Sequence, residues 1–448
     1  MPMSRCTSPT VRLPMALGLA VLALAGLTAC GETARLTVRD GTGPDPVLPP
    51  PVRTLLPTAV IAPAAGWPAG QKPTPAPGLA VQAFAEGLDH PRWLYRLPNG
   101  DILVAETNAP ARPPATGLRA WATRYLMGRA GARSPSADRL LLLRDADGDG
   151  QAETRHVFLA GLHSPFGMAL VDGRLYVANA DAVVSVPYRD GDVQAREAPT
   201  RLVGLPGGPR NHHWTKSLIA SPDGRHLYVG VGSNSNVAEH GLAEEAGRAA
   251  VHEIDLPGGA SRIFASGLRN PVGLAWTPGP APRLWTVVNE RDELGSDLVP
   301  DYLTAVEPGA FYGWPWSYYG DHVDTRVQPL NPAAVARARR PDYALGPHTA
   351  SLGLAWLDQG PLQAVLGTGM VVGQHGSWNR QPPSGYQVVH VPFVDGRPSG
   401  WPRTVLDGFL DETGRARGRP VGVAQDASGA LLVADDVGNV VWRVTHQP

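Results

Sequence analysis

Hydrophobic residues in this chain come in short runs, each opened by a turn and closed by a polar break. Six segments share the pattern: GDILVAE from Gly100, GRLYVANAD from Gly173, GRHLYVGVGS from Gly224, PRLWTVVNE from Pro282, TGMVVGQHG from Thr368 and GALLVADD from Gly429. Their Val, Leu and aromatic content is that of strands whose register is set by the preceding turn. One such unit cannot bury both of its faces, so the repeats predict small antiparallel sheets packed radially. The fold expected is all-β, a six-bladed β-propeller with long inter-strand loops, each motif being read as an inner strand. A β-sandwich would not account for six similar inner strands. The repeat is interrupted over residues 109–139, where Leu118, Trp121, Tyr125 and Leu126 fall at helical spacing. A short helix is expected there, packed on the surface or acting as a lid.

Composition narrows the class. With 52 Gly and 46 Pro, the chain has too many helix breakers for a coiled coil or helical bundle. Its 12 Trp, 11 Tyr and 7 Phe are more than a disordered chain carries. A net charge of −1 lacks the basic surface that nucleic acid requires. Two cysteines exclude a disulfide framework or a Cys-rich metal site. Arg5 and Arg12 precede an apolar stretch over residues 13–27, shorter than the roughly 20 residues of a bilayer span. That stretch ends in Leu27-Thr28-Ala29-Cys30, which resembles a bacterial lipobox; an ordinary secretory signal is the alternative. Residues 1–29 are therefore expected to be a signal peptide. Cys30 is the expected lipidation site, anchoring the protein on the periplasmic side of a bacterial membrane. Gly31 rather than Asp follows it, which points to the outer membrane. Residues 30–78 are Pro-rich and read as a semi-rigid tether, with the propeller spanning 79–448.

Three segments carry a family likeness. NHHWTKSLIASPDGRHLYVGVGSNSN (211–236) places a His before a strand and a Pro-Asp-Gly turn after it. GLRNPVGL (267–274) and GAFYGWP (309–315) follow in order. Together they resemble the pyrroloquinoline-quinone (PQQ) sugar dehydrogenases: the soluble glucose and aldose dehydrogenases and especially the sorbosone dehydrogenase family. The likeness runs from Leu79 to the C-terminus.

The resemblance implies a quinoprotein that oxidises an aldose or a sugar aldehyde such as sorbosone, with hydride passing to PQQ. Calcium is the implied second cofactor, and a quinone or cytochrome the electron acceptor. His213 is the implied base, taking a proton from an anomeric hydroxyl or an aldehyde hydrate, with His212 as its neighbour. Arg269 and Asn270 match the family's pair at the quinone oxygen, where Arg269 and calcium stabilise charge. Arg417 and Arg419 match the Arg-x-Arg that takes the cofactor's carboxylates. Asp301 matches the carboxylate ligand of calcium, and the backbone carbonyls of Asp292 and Glu293 match its carbonyl ligands. This loop is longer than in glucose dehydrogenases, and Asp297 competes for the metal. The cofactor-binding Lys of those enzymes is absent from QHGSWNR (374–380), where Arg380 or His375 is the substitute. Their substrate-contacting Gln has no counterpart either. His163-Ser164-Pro165-Phe166-Gly167 stands in its place, so the sugar is expected to differ from glucose.

These residue types suit the chemistry. Planar guanidiniums match carboxylates, hard oxygens hold calcium, and imidazole transfers protons near neutral pH. Two other classes stay open: a calcium-dependent propeller hydrolase of the lactonase kind, and a non-catalytic binding propeller. Asp145-Ala146-Asp147-Gly148-Asp149-Gly150 begins like a calcium loop, but His156 stands where the acidic twelfth residue belongs. It is read as a tight hairpin turn, with a structural calcium as the alternative.

Overall fold

The computed structural model describes residues 32–54, 58–111, 128–131, 134–357 and 360–447. The signal segment, Cys30 and the helix-spaced residues 118–126 lie outside that set. All six motifs form strands, in six antiparallel blades. Blade 1 is Pro91–Arg96, Ile102–Glu106, Arg139–Arg144 and Thr154–Ala160; blade 2 is Met168–Val171, Arg174–Ala178, Ala182–Pro187 and Thr200–Gly204. Blade 3 is Lys216–Ala220, His226–Val231, Ala250–Asp255 and Ser261–Ser266; blade 4 is Pro271–Trp276, Leu284–Val288, Pro300–Ala305 and Tyr343–Pro347. Blade 5 is Ser351–Leu357, Gly369–Gln374, Gln387–Val394 and Arg403–Asp407. Blade 6 takes Pro420–Gln425, Leu431–Asp435 and Val440–His446, then closes the ring with Leu79–Glu86 as its outer strand.

The motifs are the second strands of their blades, not the innermost ones. The first strands line the axis, each against the first strand of the next blade. Their approach is too close for side chains at some points. A Cβ on Gly353 would lie 2.1 Å from the carbonyl oxygen of Val421, and one on Gly273 would lie 2.5 Å from Leu354 Cβ. Glycine there is a packing requirement of the ring. The hairpin joining first to second strand needs a left-handed residue, which Gly100 and Gly224 supply at φ 95° and 70°. Between blades the contact is apolar: Trp285, Leu354, Met370 and Phe393 fill the space between blades 4 and 5.

Residues 32–54 and 58–78 pack on the propeller as a strap rather than standing off it as a tether. Thr42–Gly43 adds a strand to the edge of blade 4, and Thr74–Pro75 adds one to blade 5. The Trp67 indole donates to Asp435 at 2.7 Å and packs edge-on against Phe409 and Trp442. Prolines offer no N–H to satisfy, and the strap's carbonyls find arginines: Arg380 Nη2 donates to Leu36 O at 2.9 Å, and Arg419 Nη2 to Ala62 O at 3.1 Å.

Each first strand starts, and each second strand ends, at one end of the propeller. That end therefore gathers the polar residue closing each motif and the loop entering each new blade. The Asp145 loop is the hairpin between the third and fourth strands of blade 1. Its Asp145, Asp147, Asp149 and Glu153 carboxylates come within 4.8 Å of one another, while Asp145 and Glu153 cap the turn's backbone N–H groups.

Candidate active site

His213 sits in the loop entering blade 3. Its Nδ1 lies 2.8 Å from the Ser233 carbonyl and 3.0 Å from Ser233 Oγ. Ser233 Oγ gives its own hydrogen to Ser235 O at 2.6 Å, so both contacts require a proton on Nδ1. The neutral imidazole therefore keeps the Nε2 lone pair free. The ring retains some exposed surface but is otherwise enclosed, and burial drives its pKa well below the ordinary value. The positive surroundings of His212, Arg269 and Lys216 add to this, against the Ser233 hydrogen bond. His212 is exposed, with its ring edge-on to His213 at 4.6 Å.

Ser233 N donates to Arg269 O at 2.7 Å, tying the base to the next blade. The Arg269 guanidinium is buried. It donates to Asp292 Oδ2 at 2.7 Å and to the Glu290 carbonyl at 2.8 Å. Asp292 stays ionised: burial would raise its pKa, but Arg269, His348 and Asn379 outweigh that. Asn270 is buried and its Oδ1 has no partner among the described residues. A Cβ on Gly232 would lie 2.5 Å from His213 Cβ and 2.3 Å from Asn270 Oδ1, so the two side chains share one wall.

Beside them is a buried pair of carboxyls. Asp301, on the third strand of blade 4, accepts from Glu290 N (3.0 Å), Ser351 N (3.0 Å) and Thr349 Oγ1 (3.1 Å). Glu290 Oε2 has no partner among the described residues. Burial pushes Glu290 up to about 7 and Asp301 up to about 6. Both are hard oxygen donors short of positive charge, which suits a cation such as calcium.

A third group lies across the ring. Asp436 accepts from Arg92 Nη1 at 2.8 Å and His375 Nε2 at 2.9 Å, with His90 at 3.6 Å. Burial opposes its charge, but these partners hold it well below the usual carboxylate range. His375 is the neutral partner, pushed by burial down to about 4 although Asp436 pulls the other way. Arg92 lies 5.7 Å from the Trp214 ring, next to His213. Arg419 lies over Tyr386 and donates to the His375 carbonyl at 3.4 Å. The Nε atoms of Arg92 and Arg419 lack partners, and no contact engages the half-buried Arg417 guanidinium among the described residues. Two guanidiniums with spare donors, those of Arg92 and Arg419, fit a polycarboxylate ligand.

Residues 120–279 match the family described as a domain of unknown function (DUF7133), and residues 327–447 match the one described as TrAA12-like. A pyrroloquinoline quinone-dependent pyranose dehydrogenase of Coprinopsis cinerea is 26% identical over 337 residues, which cover 60% of this chain and 44% of that protein. The match thus spans less than half of that relative. The holo form of the pyranose dehydrogenase PQQ domain from Coprinopsis cinerea has a TM-score of 0.66 at 23% identity, covering 86% of this chain and 100% of that one. The calcium structure of Trichoderma reesei Carbohydrate-Active Enzymes Family AA12 has a TM-score of 0.67 at 18% identity, covering 88% and 100%. In part of its sequence and in its fold, the chain is similar to PQQ-dependent sugar dehydrogenases.

In this propeller, His213, Arg269, Asn270, Asp292 and Asp301 form one continuous cluster, and His375 and Arg419 belong to the group around Asp436. Others fall elsewhere. Arg380 is buried against the strap, donating to Leu36 O and Pro382 O and facing Asp297 at 3.6 Å. Asp297 itself accepts from Arg35 N and Leu36 N. Glu293 is exposed and pairs with Arg326 at 2.8 Å. The Asp292 carbonyl already accepts from Asn236 Nδ2 and Arg291 Nη1, which leaves it poorly placed for a metal. Glu290, Arg92, Asp436 and Asn379 were not singled out from sequence.

Proposed function

We propose that the chain is a quinoprotein that oxidises a sugar, with His213 as general base. What carries this reading is the His213 tautomer: Nδ1 is committed to Ser233, and Nε2 is left free beside Arg269 and Asn270. PQQ, when bound, supplies an ortho-quinone that accepts hydride. Calcium, when bound, supplies Lewis-acid polarisation of an oxygen. Arg92, Arg417 and Arg419 would hold carboxylates, and Glu290 with Asp301 would hold calcium. His213 Nε2 takes the proton of the sugar hydroxyl as its carbon is oxidised, and Ser233 keeps the ring oriented. The substrate in this reading is an aldose or a sugar aldehyde such as sorbosone, and the electrons leave to a quinone or a cytochrome. An absorbance titration of the apo protein with PQQ and calcium tests this. The reading requires saturable uptake of PQQ and bleaching of the oxidised cofactor on adding sugar. Absence of uptake would sink it.

The lipobox supports placement on the periplasmic side of a bacterial membrane, anchored through Cys30. Cys30→Ser is expected to release an active protein in soluble form, read by fractionation and turnover. Retention in the membrane fraction after that substitution would overturn the anchor.

A further inference from the structure

Beneath the turn that carries His213 lies a buried amine without a carboxylate partner among the described residues, its pKa lowered well below the ordinary lysine value by burial and by Arg248. Lys216, the first residue of the innermost strand of blade 3, is fully buried. Its Nζ donates to Trp214 O (3.1 Å), His213 O (3.3 Å) and Asn211 Oδ1 (3.4 Å), and it forms no ion pair among the described residues. Three acceptors match the three hydrogens of an ammonium, and all three belong to the turn 211–214. Arg248 Nη1 reaches the same Asn211 Oδ1 at 3.1 Å and Gly232 O at 3.4 Å, and Gly232 backs directly onto His213. Burying an ammonium without a carboxylate is strongly unfavourable. A Met or Leu would fill the volume without that cost, so a core-packing role does not explain the lysine.

We propose that Lys216 is a positioning residue for His213, a buried amine whose hydrogen bonds fix the 211–214 turn under the base and whose protonated form puts positive charge behind its ring. The inference rests on reading His213 as the base. Holding the carbonyls of His213 and Trp214 fixes where the imidazole leaves the backbone. The charge acts with Arg269 and His212 against a second proton on the ring, so Nε2 stays available at lower pH. The charged and titratable groups facing His213 are His212, Arg269 and Lys216; those facing Lys216 are Arg248, His252 and Asp181.

The test follows the His213 ring by NMR titration of the full chain, for the parent and for Lys216→Met and Lys216→Arg. Removing a nearby positive charge favours the imidazolium, so His213 in the Met variant is expected to titrate higher than in the parent, with the Arg variant near the parent. With PQQ and calcium bound, the Met variant is expected to lose roughly 10–100-fold in kcat. The acid limb of its pH profile should move up in the same sense, with KM and PQQ occupancy little changed. A folded Met variant whose His213 titration does not move overturns the proposal. Should that variant not fold, Lys216→Gln keeps a donor without the charge, and an unmoved titration there is equally fatal. If His213→Ala keeps full turnover, the base assignment fails, while the titration still decides whether Lys216 acts on that ring.

Discussion

His213→Ala is expected to lose most turnover, roughly 10²–10⁴-fold, while the protein still takes up PQQ. The loss should fall on kcat, because the imidazole is held for proton transfer and is not the cofactor's anchor. Its Nδ1 is fixed by Ser233, and the guanidiniums with spare donors sit on other blades. His212→Ala should be much milder, since His212 is exposed and its ring meets the His213 ring edge-on. In the parent, activity should fall only at pH values below the ordinary imidazole range, because burial and cationic neighbours hold His213 neutral. The measurement is steady-state turnover across pH for both variants, with PQQ occupancy checked by absorbance. A dead His212→Ala beside a nearly normal His213→Ala would move the assignment by one residue. Full activity in both would remove the quinoprotein mechanism.

The blade count was legible because every second strand is opened by a turn of restricted chemistry and closed by a polar residue. The position of those strands was not. Alternating burial looks the same in a first and a second strand, and both are almost wholly buried here. The distinguishing signal was present: apolar-Gly-apolar recurs as Phe166-Gly167-Met168, Val272-Gly273-Leu274, Leu352-Gly353-Leu354 and Val421-Gly422-Val423. Each of these glycines lies where a neighbouring blade's innermost strand comes too close for a Cβ. The strap was misread for a different reason. Proline content reports stiffness and missing donors, and both serve a chain laid along a surface as well as a chain in solvent.

In the site, residues lying in contiguous family-like segments could be named, whereas partners contributed by distant segments could not. Asp436 is bound by Arg92 and His375, residues from three different blades. No spacing along the chain announces such a meeting. The polar ends of the motifs were a usable hint, since Glu290 and Asp436 close PRLWTVVNE and GALLVADD at the same end of the ring. Arg380 shows the converse: its segment matched, but its guanidinium serves the strap.

Calcium is expected to stabilise the protein increasingly as pH rises from about 5 to 7.5, and Glu290→Gln should abolish most of that rise. In the folded, metal-free protein, burial lifts Glu290 to about 7 and Asp301 to about 6, against ordinary values of 4.5 and 3.8. Between the ordinary and the raised values the folded state binds more protons than the unfolded chain, so stability falls as pH rises through that window. For Glu290 alone this is on the order of 3 kcal/mol, at about 1.4 kcal/mol per unit. Buried neutral His375 and His390, both held down at about 4, act in the opposite sense. They do so with or without metal, so the difference between calcium-loaded and metal-free unfolding curves isolates the carboxyls. A cation at Glu290 and Asp301 favours their ionised forms and removes the penalty. Because Glu290 Oε2 has no hydrogen-bond partner, Gln there loses no contact, and the metal-free variant should be more stable than the parent at pH 7.5. Asp301→Ala should instead raise the calcium needed for activity and leave the propeller folded. Thermal unfolding at several pH values, in chelator and in excess calcium, reads the first two effects directly. Superimposable curves at every pH would remove the cation from this pair of carboxyls, and full turnover after exhaustive chelation would remove it from the reaction.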